Sequence, residues 1–510
     1  MYIFRYHPKT KDAVKQRAAG VSRRSLLQGG GVAIAAAASP VPMFAERGVH
    51  SPQATVPENH IMDKLCAYMS EAGQRSIPDE VIEKTKEHAL DTLAAMVSGA
   101  DLPPAQVALK FARAYAGEKV ATVVGSNILC GPLEAAIANG MLAHSDETDD
   151  SHAPAHTHPG CAIVSAALAT GEQFAISGPR FLRAITLGYD IGPRVLMTLG
   201  GLPFQMETHR SAHCIANTFG AAAAAGCAVD LNKEQMHWLL DYAAQQASGI
   251  AAWQRDTQHI EKAFVFGGMP ARNGVTAALL IQLGATGVGD IFSGPDNFLL
   301  AFAPKADPAG LVDKLGERYE VTRTNIKKWT VGSPIQAPLD ALQILSKRHP
   351  FSADQVQNVV VRVASSEAKT VNNRNMPDIS LQHMIAVMLV DKTVSFRAAH
   401  EKSRMQDPAV LRERAKVRLV ADEELEHLYP KRVAIVDLTL KDGTRLTERV
   451  EAVRGTAENP MTREEIMEKS RDLMSPFLGS ANCNRLIDAV FNLEDVKDIR
   501  VLRPLLQRSS

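Results

Sequence analysis

An alanine- and glycine-rich region, roughly residues 57–305, constrains the fold of this chain more than any other feature. Its apolar residues recur at helical spacing, and its densest part holds five alanines between Gly220 and Gly226. Small side chains of this kind allow two helices to pack closely. Strand patterns are scarce there, with one short candidate at Val120 to Val124. A large, tightly packed helical domain is therefore predicted.

The pattern changes after about residue 320. Four segments have the β-branched or alternating composition of strands, at 359–363, 416–420, 432–440 and 446–453. The last two flank Asp442-Gly443, a pair typical of hairpin turns. Helical patterns intervene at 337–348 and 380–390, and the chain returns to helix at Thr462, where Glu465 completes a capping box. We expect a mainly α protein in which a helical domain (57–322 and 455–510) is interrupted by a smaller α+β lid domain (323–454).

Residues 1–45 have the pattern of an export signal. The string Ser22-Arg23-Arg24-Ser25-Leu26-Leu27 resembles a twin-arginine signal, and a weakly apolar run and Met43-Phe44-Ala45 follow it. This pattern predicts export in the folded state and a periplasmic location. The alternative is a disordered tail with a chance arginine pair.

Composition excludes several classes of protein. Lysine plus arginine and aspartate plus glutamate each number 56, so the net charge is zero, and only 5% of residues are aromatic. Both values disfavour a nucleic-acid-binding protein. Six cysteines without a CxxC pair disfavour a disulfide scaffold and a zinc centre. After the signal no stretch reads as long and apolar enough to span a membrane, so no membrane contact is expected of the mature chain.

The densest polar cluster lies between His144 and Gly160, where four acidic residues and four histidines alternate with small residues. Three interpretations are open: a metal site, an acid–base centre on a loop held by helices, or a solvated helix-capping loop. Further candidate groups are His209 to His213, Lys262 with Arg272, and the basic residues from Lys327. Each has a structural alternative, and neither a GxGxxG nor a GxSxG motif accompanies them.

The ordered set of these motifs resembles the MmgE/PrpD family, whose known activities include 2-methylcitrate dehydratase and cis-aconitate decarboxylase. The resemblance runs from about Ile77 to Leu473. The matching residues are Ile77-Pro78-Asp79-Glu80-Val81, Asp91-Thr92, Asn139-Gly140, His144, His158-Pro159-Gly160, Gly188-Tyr189-Asp190, Phe219-Gly220-Ala221-Ala222-Ala223, Ala247-Ser248-Gly249, Lys262, Gly274, Asp340, Gly455 and Asn459-Pro460-Met461-Thr462. The resemblance implies a site between a helical domain and a lid, a homodimer formed through the helical domain, and no metal or other cofactor.

The resemblance also implies site residues, and the match is uneven. The implied catalytic residues are His158, His213, Asp149 and Lys262; the implied substrate-binding residues are Glu147, Ser151, Arg272, Lys327, Gln336, Arg374 and His383. Gln336 stands where the family often has histidine, and His383 where it has tyrosine. Ser211 falls on the family's helical-domain histidine, and we assign that role to His213, two residues on, with His209 as a possible helper.

These assignments predict a cofactor-independent hydro-lyase acting on a small hydroxy polycarboxylate. Lysines and arginines would hold the carboxylates, and a histidine would take the proton α to one of them while an acid protonates the leaving hydroxyl. The alternatives are an epimerase or decarboxylase on the same scaffold, or an exported protein that binds a carboxylate without converting it.

Overall fold

The structure, a computed structural model, describes residues 60–508, so the predicted signal at 1–45 lies outside the described residues. The first part is helical, as the alanine-rich pattern predicts. Its helices are α1 (His60–Glu71), α2 (Asp79–Gly99), α3 (Pro103–Ala114), α4 (Pro132–Ala143), α5 (Gly160–Phe174), α6 (Gly178–Leu199), α7 (Gly201–Thr208), α8 (Ala212–Ala228), α9 (Lys233–Gln246), α10 (Ile260–Ala263), α11 (Met269–Gln282) and α12 (Phe298–Phe302). A two-residue ladder pairs β1 (Ala121–Thr122) with β2 (Leu129–Cys130).

The second part contains a four-stranded mixed sheet. Its strands are β3 (Val356–Ala364), β4 (Val417–Asp422), β5 (Ala434–Leu440) and β6 (Arg445–Val450), in the order β4-β3-β5-β6. β3 is parallel to β4 and antiparallel to β5, and β5 and β6 form the predicted Asp-Gly hairpin. The helices of this part are α13 (Ser333–Arg348), α14 (Ser365–Val371), α15 (Leu381–Asp391), α16 (Phe396–His400), α17 (Pro408–Arg414) and α18 (Glu423–Glu426).

The chain then returns to the helical domain through α19 (Arg463–Leu478), α20 (Ser480–Phe491) and α21 (Arg503–Leu506). Thr462 and Glu465 form the predicted capping box of α19. Buried Lys469 donates from α19 to Asp91 Oδ1 of α2 (2.5 Å) and to the carbonyl of Thr148 (3.1 Å). The returning helix therefore supports the acidic loop as well as the domain.

Two main hydrophobic cores follow this division. One draws on residues 62–326 and 461–506 together with Phe396, and the other on residues 329–453. A small third cluster surrounds Leu425. The six cysteines are free and buried. The fold is thus mainly helical with a smaller sheet domain, as the sequence predicts.

The continuous helical run Ile260–Gln282 is long and apolar enough by composition to cross a membrane, which corrects the expectation that no later stretch qualifies. Within that run, 67% of the apolar window is buried inside the protein. Its residues belong to the first hydrophobic core, as is normal for an internal helix.

Close helix contact depends on glycine at two places. In the α6–α8 pair, a Cβ on Gly188 would lie 2.8 Å from the Gly220 carbonyl oxygen. A Cβ on Gly140 of α4 would lie 2.4 Å from the carbonyl oxygen of Gly267. Gly267 belongs to a single π-helical turn, Phe264–Gly268, between α10 and α11. This second contact holds the end of α4 against the segment that carries Lys262.

We expect Gly140→Ala to lower the free energy of unfolding by about 3 kcal/mol, because backbone rather than a flexible side chain blocks the new methyl group. Denaturant titration measures the change. Gly289→Ala is the matched control, since nothing lies within 4 Å of a Cβ at Gly289. Equal stability of the two variants would contradict the packing argument.

Candidate functional site

The acidic loop between α4 and α5 is folded inward. Helix α4 ends at its C-cap His144, and α5 begins after Pro159. Asp146 accepts from the backbone N–H (2.9 Å) and hydroxyl (2.6 Å) of Thr148. Residues 144–150 are all buried. The capping-loop interpretation, which requires a solvated loop, is therefore wrong.

Adjacent aspartates of this loop face in opposite directions. Asp150 accepts from His88 Nδ1 (2.9 Å), the Tyr189 hydroxyl (2.6 Å) and the Gly160 N–H (3.0 Å). A Cβ on Gly160 would lie 2.5 Å from the Thr92 hydroxyl, so this approach requires glycine. Asp150 anchors the loop in the helical core and leaves Asp149 to face the cluster.

Asp149 is fully buried between two imidazoles. Its oxygens lie 2.9 Å from His144 Nδ1 and 3.0 Å from His158 Nδ1. Burial raises the pKa of Asp149, but His144 and His158 outweigh burial and hold it well below its usual value. An ionised carboxylate only accepts hydrogen bonds, so both Nδ1 atoms donate. In a neutral ring with this tautomer, the lone pair is on the remaining nitrogen, Nε2.

Burial lowers the pKa of His158 to about 4, although Asp149 opposes this shift. The imidazole is therefore neutral at pH 7. A neutral histidine held in one tautomer by a buried carboxylate is the arrangement of a general base.

Two lysines lie next to the carboxylate of Glu147, another acidic residue of the loop. Lys262 of α10 is in direct ion-pair contact with Glu147. Lys327 donates to the Glu147 carbonyl oxygen (2.8 Å) and lies 3.7 Å from its carboxylate and 3.8 Å from that of Asp149. Burial raises the pKa of Glu147, but Lys262 and Lys327 hold it well below its usual value.

His213 settles which residue near the start of α8 joins the cluster. Its ring stacks on Phe266 with a centroid distance of 3.7 Å and lies 5.5 Å from the ring of His158. Burial lowers its pKa well below the usual value, with nearby His156 adding to the effect. Ser211 is instead the N-cap of α8 and accepts from the Cys214 N–H (3.4 Å). His209 is exposed and does not act as a helper.

Asn217 ties these segments together. Its side-chain N–H groups donate to the carbonyls of His158 (2.8 Å) and Phe266 (2.7 Å), and its oxygen accepts from the Thr157 hydroxyl (2.9 Å). One residue of α8 thus positions both the histidine loop and the π-helical turn. The sequence analysis missed it, since an asparagine inside an alanine-rich helix carries no motif.

Sequence reasoning also missed His259, and it named His144 without a role. The ring centroids of these two histidines lie 5.1 Å apart, and the Nε2 atom of each is buried without a hydrogen-bond partner among the described residues. With Glu147 they offer three ligand atoms close enough to hold a metal ion. Lys262 and Lys327 already neutralise Glu147, and their charges would repel a divalent ion at this position. The set therefore fits an anionic ligand better than a cation.

The predicted substrate-binding residues separate into two groups. Glu147 and Lys327 belong to the cluster, and Ser151 joins the segment that carries Lys327 through backbone hydrogen bonds with Asn325 (2.8 and 3.0 Å). Gln336 binds backbone groups of Trp329 and Val331 through both ends of its amide. It organises the turn after Lys327 rather than offering a free donor to substrate.

The other three predictions find less support. Arg272 is exposed and donates to the Asn273 side chain (2.9 Å), so it is not part of the cluster. His383 is buried inside the lid, where burial lowers its pKa to about 4 and Arg414 and Arg404 add to the effect. Arg374 is half-buried in the loop before Asp378, with no ion pair to a described residue. A linear match for His383 and suitable charge for Arg272 do not show which way a side chain points.

A contact between lid and acidic loop was also absent from the sequence analysis. His400 of α16 lies with Nε2 2.7 Å from Asp146 Oδ2, as an ion pair rather than a well-directed hydrogen bond. Burial lowers the pKa of His400, but Asp146 outweighs burial and raises it to about 9. Asp378, also facing His400, has its pKa raised to about 6 by burial. A charged histidine therefore joins the lid to the loop at neutral pH.

This pair predicts a pH-dependent stability. The folded-state pKa of His400 exceeds the unfolded value of about 6.5. The contribution of His400 to the free energy of unfolding is therefore complete below pH 6 and disappears as the pH rises through about 9. We expect the free energy of unfolding of wild type to exceed that of His400→Gln by on the order of 3 kcal/mol at pH 6, and this difference to fall towards pH 9.5. Unfolding titrations at several pH values measure this.

His349→Gln is the control for that series, since His349 is exposed at the end of α13. It should follow wild type at every pH. A constant difference between wild type and His400→Gln from pH 6 to 9.5 would exclude a charged His400.

The fold and the cluster together define a two-domain protein whose buried histidine–carboxylate–lysine centre is completed by residues from the start of the sheet domain. Residues 63–310 match the MmgE/PrpD N-terminal domain, and residues 329–495 match the MmgE/PrpD C-terminal domain. The chain therefore belongs to the MmgE/PrpD family, which confirms the resemblance seen in the sequence.

Its relatives include several proteins named for one activity. The cis-aconitate decarboxylase-like protein oryM of Aspergillus oryzae is 26% identical, over 89% of this chain and 98% of the relative. The cis-aconitate decarboxylase of Homo sapiens is 27% identical, over 85% of this chain and 92% of the relative. That of Aspergillus terreus is 26% identical, over 88% and 96%.

Proposed function

We propose that this protein is a lyase that acts on a small polycarboxylate by proton transfer, without an external oxidant, and that it removes carbon dioxide from a cis-aconitate-like tricarboxylate. The observation that carries the proposal is the meeting of Lys262 and Lys327 at buried Glu147, beside the Asp149–His158 pair. The lysines can exchange one carboxylate partner for another, and the histidine can move a proton next to it. The names of the relatives favour decarboxylation over the dehydration first predicted from the sequence.

The reaction balances without a co-reactant other than a proton. In an unsaturated tricarboxylate, the bond between an allylic carbon and its carboxylate breaks and releases carbon dioxide. The electron pair of this bond forms a new double bond to the neighbouring carbon. The electron pair of the old double bond moves to its far carbon, which takes a proton from a histidine. A bound polyanion raises the pKa of nearby histidines, so His158 or His213 can carry that proton once substrate has bound.

Dehydration is the second candidate, and the state of His158 favours it. A neutral imidazole whose Nδ1 donates to Asp149 presents Nε2 as a base for a proton α to a carboxylate. The hydroxyl would leave as water with a proton from a second acid. Both reactions use the same centre and differ in the product.

The test follows purified protein with cis-aconitate, citrate and 2-methylcitrate by NMR in heavy water, together with carbon dioxide release. Carbon dioxide and a product carrying one solvent deuterium support the decarboxylase, whereas loss or addition of water supports the hydro-lyase. Deuterium exchange alone supports an epimerase, and calorimetric binding without conversion supports a carboxylate-binding protein. His158→Ala should abolish turnover, and His209→Asn, a change at an exposed histidine, should not.

The periplasmic location and the homodimer stay predictions. The first rests on residues outside the described range, and the second rests on the family resemblance alone. Cell fractionation and light scattering of the purified protein test them independently of the reaction.

A further inference from the structure

A cavity of about 330 Å³ lies beside the cluster, between the acidic loop and the sheet domain. Its lining includes Lys327 and Ser151 and the segments around Arg432 and Arg454. Because Lys327 also contacts Glu147 and Asp149, the cavity adjoins the proposed reaction centre. Its size is suitable for a small organic acid.

The cavity wall carries an excess of positive charge. Five cationic residues and two glutamates line it; the cations are Arg323, Lys327, Lys431, Arg432 and Arg454. Most of the carboxylates that pair with these cations lie behind the wall, including Glu320, Glu367 and Glu465. Cations fixed from behind in this way keep their positions before a ligand arrives, which favours an anionic ligand.

Arg432, unlike Arg454, has donors to spare. Its partner among the described acidic residues is Glu367, a buried carboxylate of α14. A guanidinium has five N–H donors, so one ion pair leaves several of them open to the cavity. Arg454, by contrast, is occupied by Glu465 and by the Asn459 side chain (2.8 Å).

Arg432 is also coupled electrically to the reaction centre. Burial lowers the pKa of His156 to about 3, and the charge of Arg432 contributes to that shift. The ring of His156 lies 5.3 Å from that of His213. Burial lowers the pKa of Arg432, but Glu367 outweighs burial and raises it, and the charge of Glu147 adds to the rise. Arg432 therefore lies on the cavity wall within electrostatic reach of the cluster.

We propose that Arg432 binds the remote carboxylate of the substrate and makes the protein selective for tricarboxylates over dicarboxylates. This inference rests on the proposed function, which places one substrate carboxylate at Lys262 and Lys327. A second carboxylate of the same substrate would then lie across the cavity at Arg432. A planar guanidinium with free donors binds a carboxylate through two parallel hydrogen bonds. A dicarboxylate has no third carboxylate to form them.

Calorimetry with two unreactive probes tests the inference apart from catalysis. The probes are tricarballylate, which has three carboxylates, and glutarate, which has two. Wild type should bind tricarballylate at least about 30-fold more tightly than glutarate, and Arg432→Gln should remove most of that preference by weakening tricarballylate alone. Arg432→Lys should retain part of it, because the charge stays while the fork is lost.

Lys431→Gln is the matched control, since it removes the same charge from the same wall and should keep the preference. Thermal unfolding of each variant shows whether the fold is intact, and Arg432→Lys carries the test if Arg432→Gln does not fold. The inference is overturned if Arg432→Gln weakens the binding of both probes equally, or if wild type does not prefer tricarballylate to glutarate. Selective binding without turnover of any substrate would instead contradict the proposed function and leave the subsite standing.

Discussion

Replacing Asp149 by asparagine is expected to lower kcat by about 10³- to 10⁴-fold. The Asp149 carboxylate accepts from both His144 and His158, and the two rings are held in one tautomer as a result. An asparagine amide has an oxygen on one side and N–H groups on the other, so it accepts from only one of the two rings. We expect the N–H groups to face His158, whose Nδ1 must then accept and whose proton moves to Nε2. His158 would then lack the lone pair that faces the substrate. Steady-state kinetics measure kcat, and a denaturant titration measures the free energy of unfolding.

Asp150→Asn is the matched comparison, because it makes the same change one residue away. Asp150 accepts hydrogen bonds from His88, Tyr189 and the Gly160 N–H in the core. Its variant should therefore lose stability, and any fall in activity should follow from that loss. The Asp149 variant should also lose stability, because it removes a buried charge bonded to two histidines, but its fall in kcat should far exceed that of Asp150→Asn. If Asp149→Asn keeps kcat within threefold, Asp149 does not orient a catalytic histidine.

The second large effect is expected for Lys262→Met, which should lower kcat/KM by at least about 10³-fold. Lys262 is the cation in direct contact with Glu147 and, in the proposed reaction, with a substrate carboxylate. Its loss also leaves Glu147 buried, with the Lys327 amine, 3.7 Å away, as the nearest lysine among the described residues. We expect a destabilisation of about 3 kcal/mol from that uncompensated charge.

The double variant Glu147→Gln with Lys262→Met separates the two effects. Removing both charges should restore most of the stability, since neither partner is left unpaired, but it should not restore activity. Lys328→Met serves as a control lysine, because Lys328 lies 3.6 Å from Asp340 in the lid and does not pair with Glu147. Activity that returns together with stability would show that Lys262 has only a structural role.

Local structure was largely predictable from the sequence. The helix predicted at 380–390 is α15 (Leu381–Asp391), and the strand predicted at 432–440 is β5 (Ala434–Leu440). These elements depend on hydrophobic spacing, capping residues and turn pairs, all of which lie within a few residues along the chain. The boundaries were less accurate where the first turn carries no side-chain cap, as in α13, which begins at Ser333 rather than near residue 337.

The site was predictable only in part. Asp149, His158, His213, Glu147, Lys262 and Lys327 lie together as the family resemblance implies, while their catalytic roles stay predictions. Arg272 and Gln336 carry suitable chemistry, but one points to solvent and the other binds its own turn. His259 and Arg432 gave no signal, because neither lies in a motif that the sequence analysis could recognise.

The sequence by itself determined the helical domain, the sheet domain within it, the family and the acidic loop as a dense group of candidate residues. Only the tertiary structure decided which of two adjacent aspartates bonds His144 and His158, which of three candidates at the start of α8 lies beside them, and which arginines line the cavity. The physical reason is that these choices depend on contacts between residues far apart in the chain. Asp149 and Lys327, or His400 and Asp146, acquire their partners only when the two domains pack. Periodicity and capping act within one helix or strand and carry no information about such distant partners.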